Sequence, residues 1–128
     1  MNELRFDEQG LVPVVVQNAD TDAVLLLAYT NAEALAETFR TGLLYLWSRS
    51  RGKLWLKGET SGNYQRVADL RVNCEGNSLL ALVHSMGPVC HDGYESCFYR
   101  QLDAVGNTTF IAERMFDPEV VYDEQVKQ

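Results

Sequence analysis

The residues of this chain best suited to chemistry lie in one short loop, "MGPVCHDGYESCFYR", residues 86–100. Six residues separate Cys90 from Cys97, and His91 directly follows the first of these cysteines. A third cysteine, Cys74, lies upstream in "NCEGN". Zinc accepts thiolate and imidazole ligands, and a catalytic zinc site keeps one position open for water. Three cysteines match that requirement, so the residue types are compatible with a catalytic zinc site.

The residues alone leave a second interpretation open. A free cysteine is often a small buried apolar residue, and the spacing fits no zinc-finger pattern. Cys90 and Cys97 approach each other only if "HDGYES" folds back, which the glycines and proline of the loop favour. Neighbouring residues of an extended segment point to opposite sides, which favours proton transfer by His91 over binding one ion together with Cys90. His84 lies in an apolar predicted strand and is interpreted as structural.

A second stretch, "WSRSRGKLWLKGETSGNYQR" (residues 47–66), combines basic residues, hydroxyl groups and glycines between and after two tryptophans. In an extended strand, Arg49 and Arg51 point to the same face, where their guanidinium groups match phosphate oxygens. The loop "GETSGN" offers backbone N–H groups and hydroxyls to an anion. The alternative is a pair of ordinary strands whose residues Trp47 and Trp55 fill the core.

Composition limits the classes of function. A chain of 128 residues with 46% hydrophobic residues fits one domain, residues 1–128, with its own core. The net charge of −7 argues against nucleic acid and anionic membranes as partners, and no apolar run is long enough to span a bilayer. An odd number of cysteines and an N-terminus unlike a secretory signal predict a cytoplasmic location.

The basic residues are concentrated in one part of the acidic chain. Seven of the 11 lie between Arg40 and Arg71, where only Glu59 and Asp69 oppose them. Such a zone suits a small phosphorylated ligand, and the alternative is a set of solvated strand faces.

The hydrophobic pattern predicts an α+β fold, mainly antiparallel β with one clear helix. Asn31 is expected to cap the helix and Gly42 to end it, with Ala34, Leu35, Thr38 and Phe39 on one face. Strands are predicted over residues 12–18, 23–30, 43–50, 53–58, 64–74 and 78–86, and near 97–102. Residues 108–116 are predicted to form a further strand or a tail element, and residues 117–128 a polar tail that frays.

Three stretches together resemble the phosphoribosyl-AMP cyclohydrolase family: "WSRSRGKLWLKGETSGNYQ", "NCEGNSLLALV" and "GPVCHDGYESCFYR". The resemblance covers about residues 12–100. It implies an intertwined homodimer that hydrolyses the N1–C6 bond of its purine nucleotide substrate in histidine biosynthesis. It also implies zinc bound by Cys74, Cys90 and Cys97 from both subunits, with His91 assisting proton transfer. The expected substrate-binding residues are Arg49, Arg51, Lys57, Glu59, Ser61 and Gly62, of which the basic ones would hold the phosphates.

The chain departs from the family pattern around its first cysteine. Members of the family usually carry three alternating aspartates there, which bind magnesium, whereas this chain has Asn73, Glu75 and Asn77. Magnesium prefers anionic oxygen ligands, so it is expected to bind weakly or not at all. Asp92 replaces the usual threonine beside His91, and Ser85 replaces a usual glutamine. Two alternatives therefore stay open, namely a zinc hydrolase acting on another nucleotide or heterocycle and a non-catalytic zinc-binding dimer.

Overall fold

The computed structural model describes residues 3–115 and has an α+β architecture, as predicted. The elements are β1 (Val12–Asn18), β2 (Val24–Thr30), α1 (Ala32–Thr41), β3 (Tyr45–Ser48), β4 (Lys53–Leu56), β5 (Gln65–Val72), β6 (Leu79–Ser85), β7 (Arg100–Leu102) and β8 (Thr108–Phe110). No helix in the described range is long and apolar enough to cross a membrane. The predicted fraying tail, residues 117–128, lies outside the described residues.

A four-stranded sheet in the order β2-β1-β6-β5 forms the centre of the fold. Strand β1 alternates between buried and half-buried residues, as expected for a strand with one face on the core. Its turn into β2 is closed by Asn18, whose Oδ1 accepts hydrogen bonds from the backbone N–H groups of Asp20 and Thr21. The predicted hairpin is confirmed. All strand pairs are antiparallel except β1 with β6, which run parallel.

Helix α1 begins and ends where the sequence predicted. The Asn31 side chain accepts a hydrogen bond from Ala34 N at 2.8 Å, and Gly42 ends the helix in the left-handed conformation with φ of 80°. Ala34 and Thr38 are buried, but Phe39 is 65% exposed. The predicted apolar face therefore reaches the core only in part.

The β3–β4 hairpin packs on the sheet and carries the basic stretch. Leu46 of β3 and Leu44, which directly precedes β3, belong to the buried core and are 0% and 2% exposed. The rest of the buried cluster comes from β1, β2, α1, β6 and the loop after it, namely Val12, Val14, Val16, Leu25, Leu26, Leu35, Leu79, Ala81, Val83 and Val89. Backbone hydrogen bonds join Leu44 N to Gln65 O at 2.8 Å and Lys57 N to Leu44 O at 3.0 Å. These bonds fix the chain on both sides of the hairpin.

Several strands are shorter than predicted, and the shortening moves site residues into turns. Strand β3 ends at Ser48, so Arg49 and Arg51 lie in the turn that follows. The interpretation that both arginines alternate on one strand face is therefore wrong. Strand β5 ends at Val72, which places Cys74 in the turn before β6. Residues 108–110 form β8, which settles the choice between strand and tail for that part.

Candidate active site

The loop after β6 folds back on itself, as its sequence predicted. Backbone hydrogen bonds join Cys90 N to Tyr94 O at 3.1 Å and Gly93 N to Cys90 O at 3.0 Å. Cys97 N donates to Leu25 O of β2 at 2.7 Å, which ties the end of the loop to the central sheet. The fold-back brings the side chain of Cys97 close enough to Cys90 for the two thiols to influence each other electrostatically.

The thiol pair shares its surroundings with a buried lysine. Cys90 is 3% exposed and Lys57 is 8% exposed. Although Cys97 keeps some exposed surface, burial of its sulfur, reinforced by the nearby Cys90, raises the pKa of Cys97 to about 12, and Lys57 opposes that shift. Burial also lowers the pKa of Lys57, while Cys97 and Cys90 act against the shift. An ammonium group therefore lies next to two groups that can become anionic.

A cavity of about 330 Å³, here called the first cavity, opens beside this cluster. It brings together Arg51, Lys57, Ser61 and His91, which come from three separate loops. The complete lining is Ser48, Ser50, Arg51, Trp55, Lys57, Gly58, Thr60, Ser61 and His91. Glu59 and Gly62 belong to the same loop as Ser61 but are not lining residues, and both are exposed. The lining combines hydroxyl groups, two cationic side chains and one imidazole.

Tight backbone packing shapes the loop "KGETSGN" that forms one wall. Gly58 has φ of +96°, and a Cβ atom there would lie 2.6 Å from the carbonyl atoms of Asn63. A Cβ atom on Gly87 would overlap the Asn63 side chain. Gln65, fully buried at the start of β5, donates from Nε2 to Asn63 O at 3.0 Å. Asn63 is therefore packed against Gly58 of its own loop and against Gly87 of the loop after β6. The absence of a Cβ atom at both glycines permits these close contacts.

Arg49 lies in a second cavity, of about 520 Å³, next to the first. Its guanidinium carbon lies 3.8 Å from the centroid of the Tyr29 ring on β2. The lining of the second cavity is Leu26, Leu27, Ala28, Tyr29, Trp47, Ser48, Arg49, Ser50, Trp55, Cys97 and Phe98. The two predicted phosphate-binding arginines thus face different cavities, which share Ser48, Ser50 and Trp55.

The side chain of His91, the candidate catalytic residue, is 79% exposed. Its Nε2 lies 3.5 Å from Asp92 Oδ1, while Asp92 Oδ2 accepts a 2.9 Å hydrogen bond from the Tyr99 hydroxyl. That hydrogen bond raises the pKa of Tyr99. Tyr99 stacks on Tyr94 with ring centroids 3.7 Å apart. Asp92 therefore has a shorter contact with Tyr99, at 2.9 Å, than with His91, at 3.5 Å.

Cys74 has a different environment, in an exposed turn between β5 and β6. Asn73 Oδ1 accepts hydrogen bonds from the backbone N–H groups of Asn77 and Ser78, at 2.9 and 3.1 Å. Asn73 Nδ2 donates to Asn77 Oδ1 at 2.7 Å, and Asn77 Nδ2 donates to Glu75 at 3.4 Å. Side chains at the predicted magnesium positions are therefore hydrogen-bonded to one another and to the turn.

Within residues 3–115 of a single chain, no three His, Cys, Asp or Glu side chains are arranged to hold a metal ion. Cys90 and Cys97 form a pair, and Cys74 does not complete it in the same chain.

Some residues of the two cavities were not identified from the sequence. Tyr29 on β2 holds Arg49, and Thr60 lines the first cavity. Trp55 was interpreted only as a core residue, yet it packs on the core and lines both cavities. The alternation of serine and arginine in "WSRSR" was the sequence feature that could have identified Ser48 and Ser50 as cavity residues. No local pattern connects Tyr29 to Arg49, because helix α1 and strand β3 lie between them in the chain.

Comparison with known proteins identifies the family of the chain. The family model described as "PRA-CH: Phosphoribosyl-AMP cyclohydrolase" matches residues 26–99. A protein of that name from Pelotomaculum thermopropionicum is 49% identical over 122 residues, covering 95% of each chain. One from Archaeoglobus fulgidus is 55% identical over 101 residues, covering 79% of this chain and 94% of its own. Because such similarity extends over most of the chain, beyond residues 12–100, this protein belongs to the phosphoribosyl-AMP cyclohydrolase family.

Proposed function

We propose that this protein is a zinc-dependent enzyme that hydrolyses phosphoribosyl-AMP at the N1–C6 bond of its purine ring, a cyclic amidine C–N bond. The observation that carries the proposal is the first cavity, where Arg51, Lys57 and His91 lie together beside the thiols of Cys90 and Cys97. Cationic side chains suit a phosphorylated substrate, and an exposed imidazole suits proton transfer. The family membership supports the same reaction.

The paired thiols fit zinc, which binds thiolates readily. Burial and the neighbouring Cys90 raise the pKa of Cys97, Lys57 opposes that rise, and a bound zinc ion would supply the positive charge that the thiolate form needs. We assign Cys90 and Cys97 as two zinc ligands. The third ligand, Cys74, is supplied by a second copy of the chain, and the enzyme is a homodimer with a site shared between subunits. Free thiols at all three positions also support a cytoplasmic location, where cysteines remain reduced.

The exposed surface of the chain is compatible with assembly. The β7–β8 hairpin and the segment after it expose five large apolar side chains, Leu102, Val105, Phe110, Ile111 and Met115. Contiguous exposed apolar surface often marks a protein interface. The hairpin joins the Cys90 loop through the stack of Phe110 with Tyr94 and Tyr99. An interface formed by this hairpin would therefore adjoin the thiol pair.

The reaction adds one water molecule across the N1–C6 bond. The water oxygen becomes the oxygen on C6, and N1 leaves with a proton and remains bonded to C2 as part of an amidine. When bound, zinc supplies the Lewis acidity that makes water nucleophilic at neutral pH. His91 holds the proton from the attacking water or delivers one to N1 as the bond breaks. Arg51 and Lys57 bind phosphate and hold the ring beside His91.

Magnesium is not part of the proposed mechanism. The Asn73–Asn77 turn offers neutral amide oxygens, and these are already engaged in hydrogen bonds within the turn. Glu75 provides the one carboxylate among the three predicted magnesium positions, Asn73, Glu75 and Asn77. A hard dication binds poorly to such a set.

The direct test is turnover of phosphoribosyl-AMP by the purified full-length protein, with zinc content measured in the same sample. We expect turnover that is lost on removing zinc with a chelator and restored by zinc. A panel of other purine nucleotides is assayed in parallel. Hydrolysis of another ring compound without turnover of phosphoribosyl-AMP would replace the proposed substrate. Zinc binding with no hydrolysis of any member of the panel would favour the non-catalytic alternative.

A further inference from the structure

We infer that the two cavities are separate subsites for the two phosphate groups of the substrate, with Arg51 serving the first cavity and Arg49 the second. The inference rests on the proposed function, because phosphoribosyl-AMP carries one phosphorylated ribose on each side of its purine ring. It changes the expectation from sequence, in which both arginines lie on one strand face and hold the phosphates together with Lys57.

The first cavity has the composition of a phosphate site. Ser50, Thr60 and Ser61 supply hydroxyl groups, and Arg51 and Lys57 supply positive charge. The backbone N–H of Arg51 donates to Ser48 Oγ at 3.2 Å, which fixes the start of the arginine side chain. In the part of the chain that the structure covers, the Arg51 guanidinium group forms no ion pair with a carboxylate. Its charge is therefore available to a ligand.

The second cavity presents Arg49 in a different way. The Arg49 guanidinium group stacks on the Tyr29 ring at 3.8 Å. Stacking uses the face of the guanidinium plane and leaves the N–H donors, which lie in the plane, free to bind an anion. Arg49 likewise has no carboxylate partner among residues 3–115. The wall around it is mainly apolar and aromatic, with Trp47, Trp55 and Phe98, and suits a ribose or base.

Trp55 lies where the two cavities meet. It lines both of them, together with Ser48 and Ser50. The Lys57 ammonium nitrogen lies 5.0 Å from the Trp55 ring centroid, and the Arg51 guanidinium carbon lies 5.9 Å from it. A planar base placed across this boundary would reach an arginine on either side with the phosphates at its two ends. Volumes of about 330 and 520 Å³ suit half of the substrate each.

The test uses two fragments of the substrate, AMP and ribose 5-phosphate, each of which carries a single phosphate. Their affinities are measured by titration calorimetry with the zinc-loaded, full-length protein and its Arg49→Gln and Arg51→Gln variants. We expect each variant to weaken a different fragment by about 10- to 100-fold and to leave the other within about twofold. Arg49→Lys, which keeps the charge but loses the planar stack, should weaken the same fragment as Arg49→Gln.

Lys53→Gln is the matched control, because Lys53 is an exposed cation of the same hairpin and lines neither cavity. It should change neither affinity. Two results would overturn the inference: both arginine variants weaken the same fragment, or neither variant weakens any fragment. Turnover of phosphoribosyl-AMP is measured separately on the unmodified protein. If the unmodified protein turns over phosphoribosyl-AMP but the two arginine variants do not weaken different fragments, only the subsite inference is rejected. If the variants weaken different fragments but the protein does not turn over phosphoribosyl-AMP, only the proposed reaction is rejected.

Discussion

The two turns that carry cysteines differ in almost every physical property. The loop of residues 86–97 buries Cys90, places Cys97 beside it and faces Lys57 and a cavity. The turn of residues 73–78 leaves Cys74 exposed and uses its polar side chains to close itself. The first environment holds a pair of thiols together within one chain, whereas the second leaves a single thiol exposed. Under the proposed function, one chain supplies Cys90 and Cys97 to the metal site and a second copy of the chain supplies Cys74.

The largest expected effect concerns His91, in the cavity-facing loop. His91→Ala should lower kcat by about 10²- to 10⁴-fold, because the proton transfer loses its side chain. Zinc content should remain that of the unmodified protein, since His91 is assigned to proton transfer and not to the metal. Steady-state kinetics and elemental analysis of the same preparation check both statements. A variant that loses zinc would show that His91 is a ligand and that the loop supplies three donors.

A smaller effect is expected from the glycines that shape the wall of the first cavity. Gly58→Ala should lower the free energy of unfolding by about 3 kcal/mol, because left-handed strain adds to a backbone clash. The Cβ atom added at position 58 would lie 2.6 Å from Asn63 C and O and 2.7 Å from Tyr64 N. Gly62→Ala is the matched control, since Gly62 also has positive φ but no atom within 4 Å of an added Cβ. Gly62→Ala should lower the free energy of unfolding by only about 1 kcal/mol. Urea unfolding measures both, and equal losses would contradict this account of the loop.

The smallest effect is expected from magnesium at the other turn. Adding magnesium to the zinc-loaded enzyme should change the rate by less than about twofold, because the Asn73–Asn77 turn holds one carboxylate. The matched variant Asn73→Asp/Glu75→Asp/Asn77→Asp restores three carboxylates and should gain magnesium binding, measured by calorimetry. Strong magnesium activation of the unmodified enzyme would mean that the turn rearranges to expose its oxygen atoms.

Local features of the fold followed from the sequence, and long-range contacts did not. The helix caps Asn31 and Gly42 act on residues within one turn, so their pattern is readable along the chain. The fold-back of "HDGYES" likewise depends on nearby glycines. The parallel pairing of β1 with β6 joins segments about 60 residues apart in sequence and leaves no local signal. The contact of Arg49 with Tyr29 also joins different elements, and it separated two arginines that were predicted to lie on one face.

The residue types of the candidate site were more predictable than their arrangement. Cysteine, histidine and arginine are recognised by their chemistry. The structure brings Arg51, Lys57 and His91 to one cavity, with Cys97 and Cys90 near Lys57. Strand ends decide where the side chains point, and these depend on tertiary packing. Strand β3 ended before Arg49, which changed the geometry expected for the phosphates. Tyr99 was part of a recognised motif, but its hydrogen bond to Asp92 required the folded loop.

The central claim, a metal site divided between two chains, is tested most directly by mixing two inactive variants. Cys74→Ser and Cys90→Ser each remove a proposed zinc ligand and should each lose zinc and activity. When equal amounts are unfolded, mixed and refolded with zinc, half of the dimers should pair one variant with the other. Each mixed dimer would contain one intact site of two, so zinc content and activity should recover to about a quarter of the normal value.

Cys90→Ser mixed with Cys97→Ser is the control for this experiment, because both lesions affect the same half of the site and no mixed dimer would be intact. Recovery is therefore expected only for the pair that includes Cys74→Ser. No recovery in that pair, with the unmodified protein refolding normally under the same conditions, would contradict a site shared between subunits.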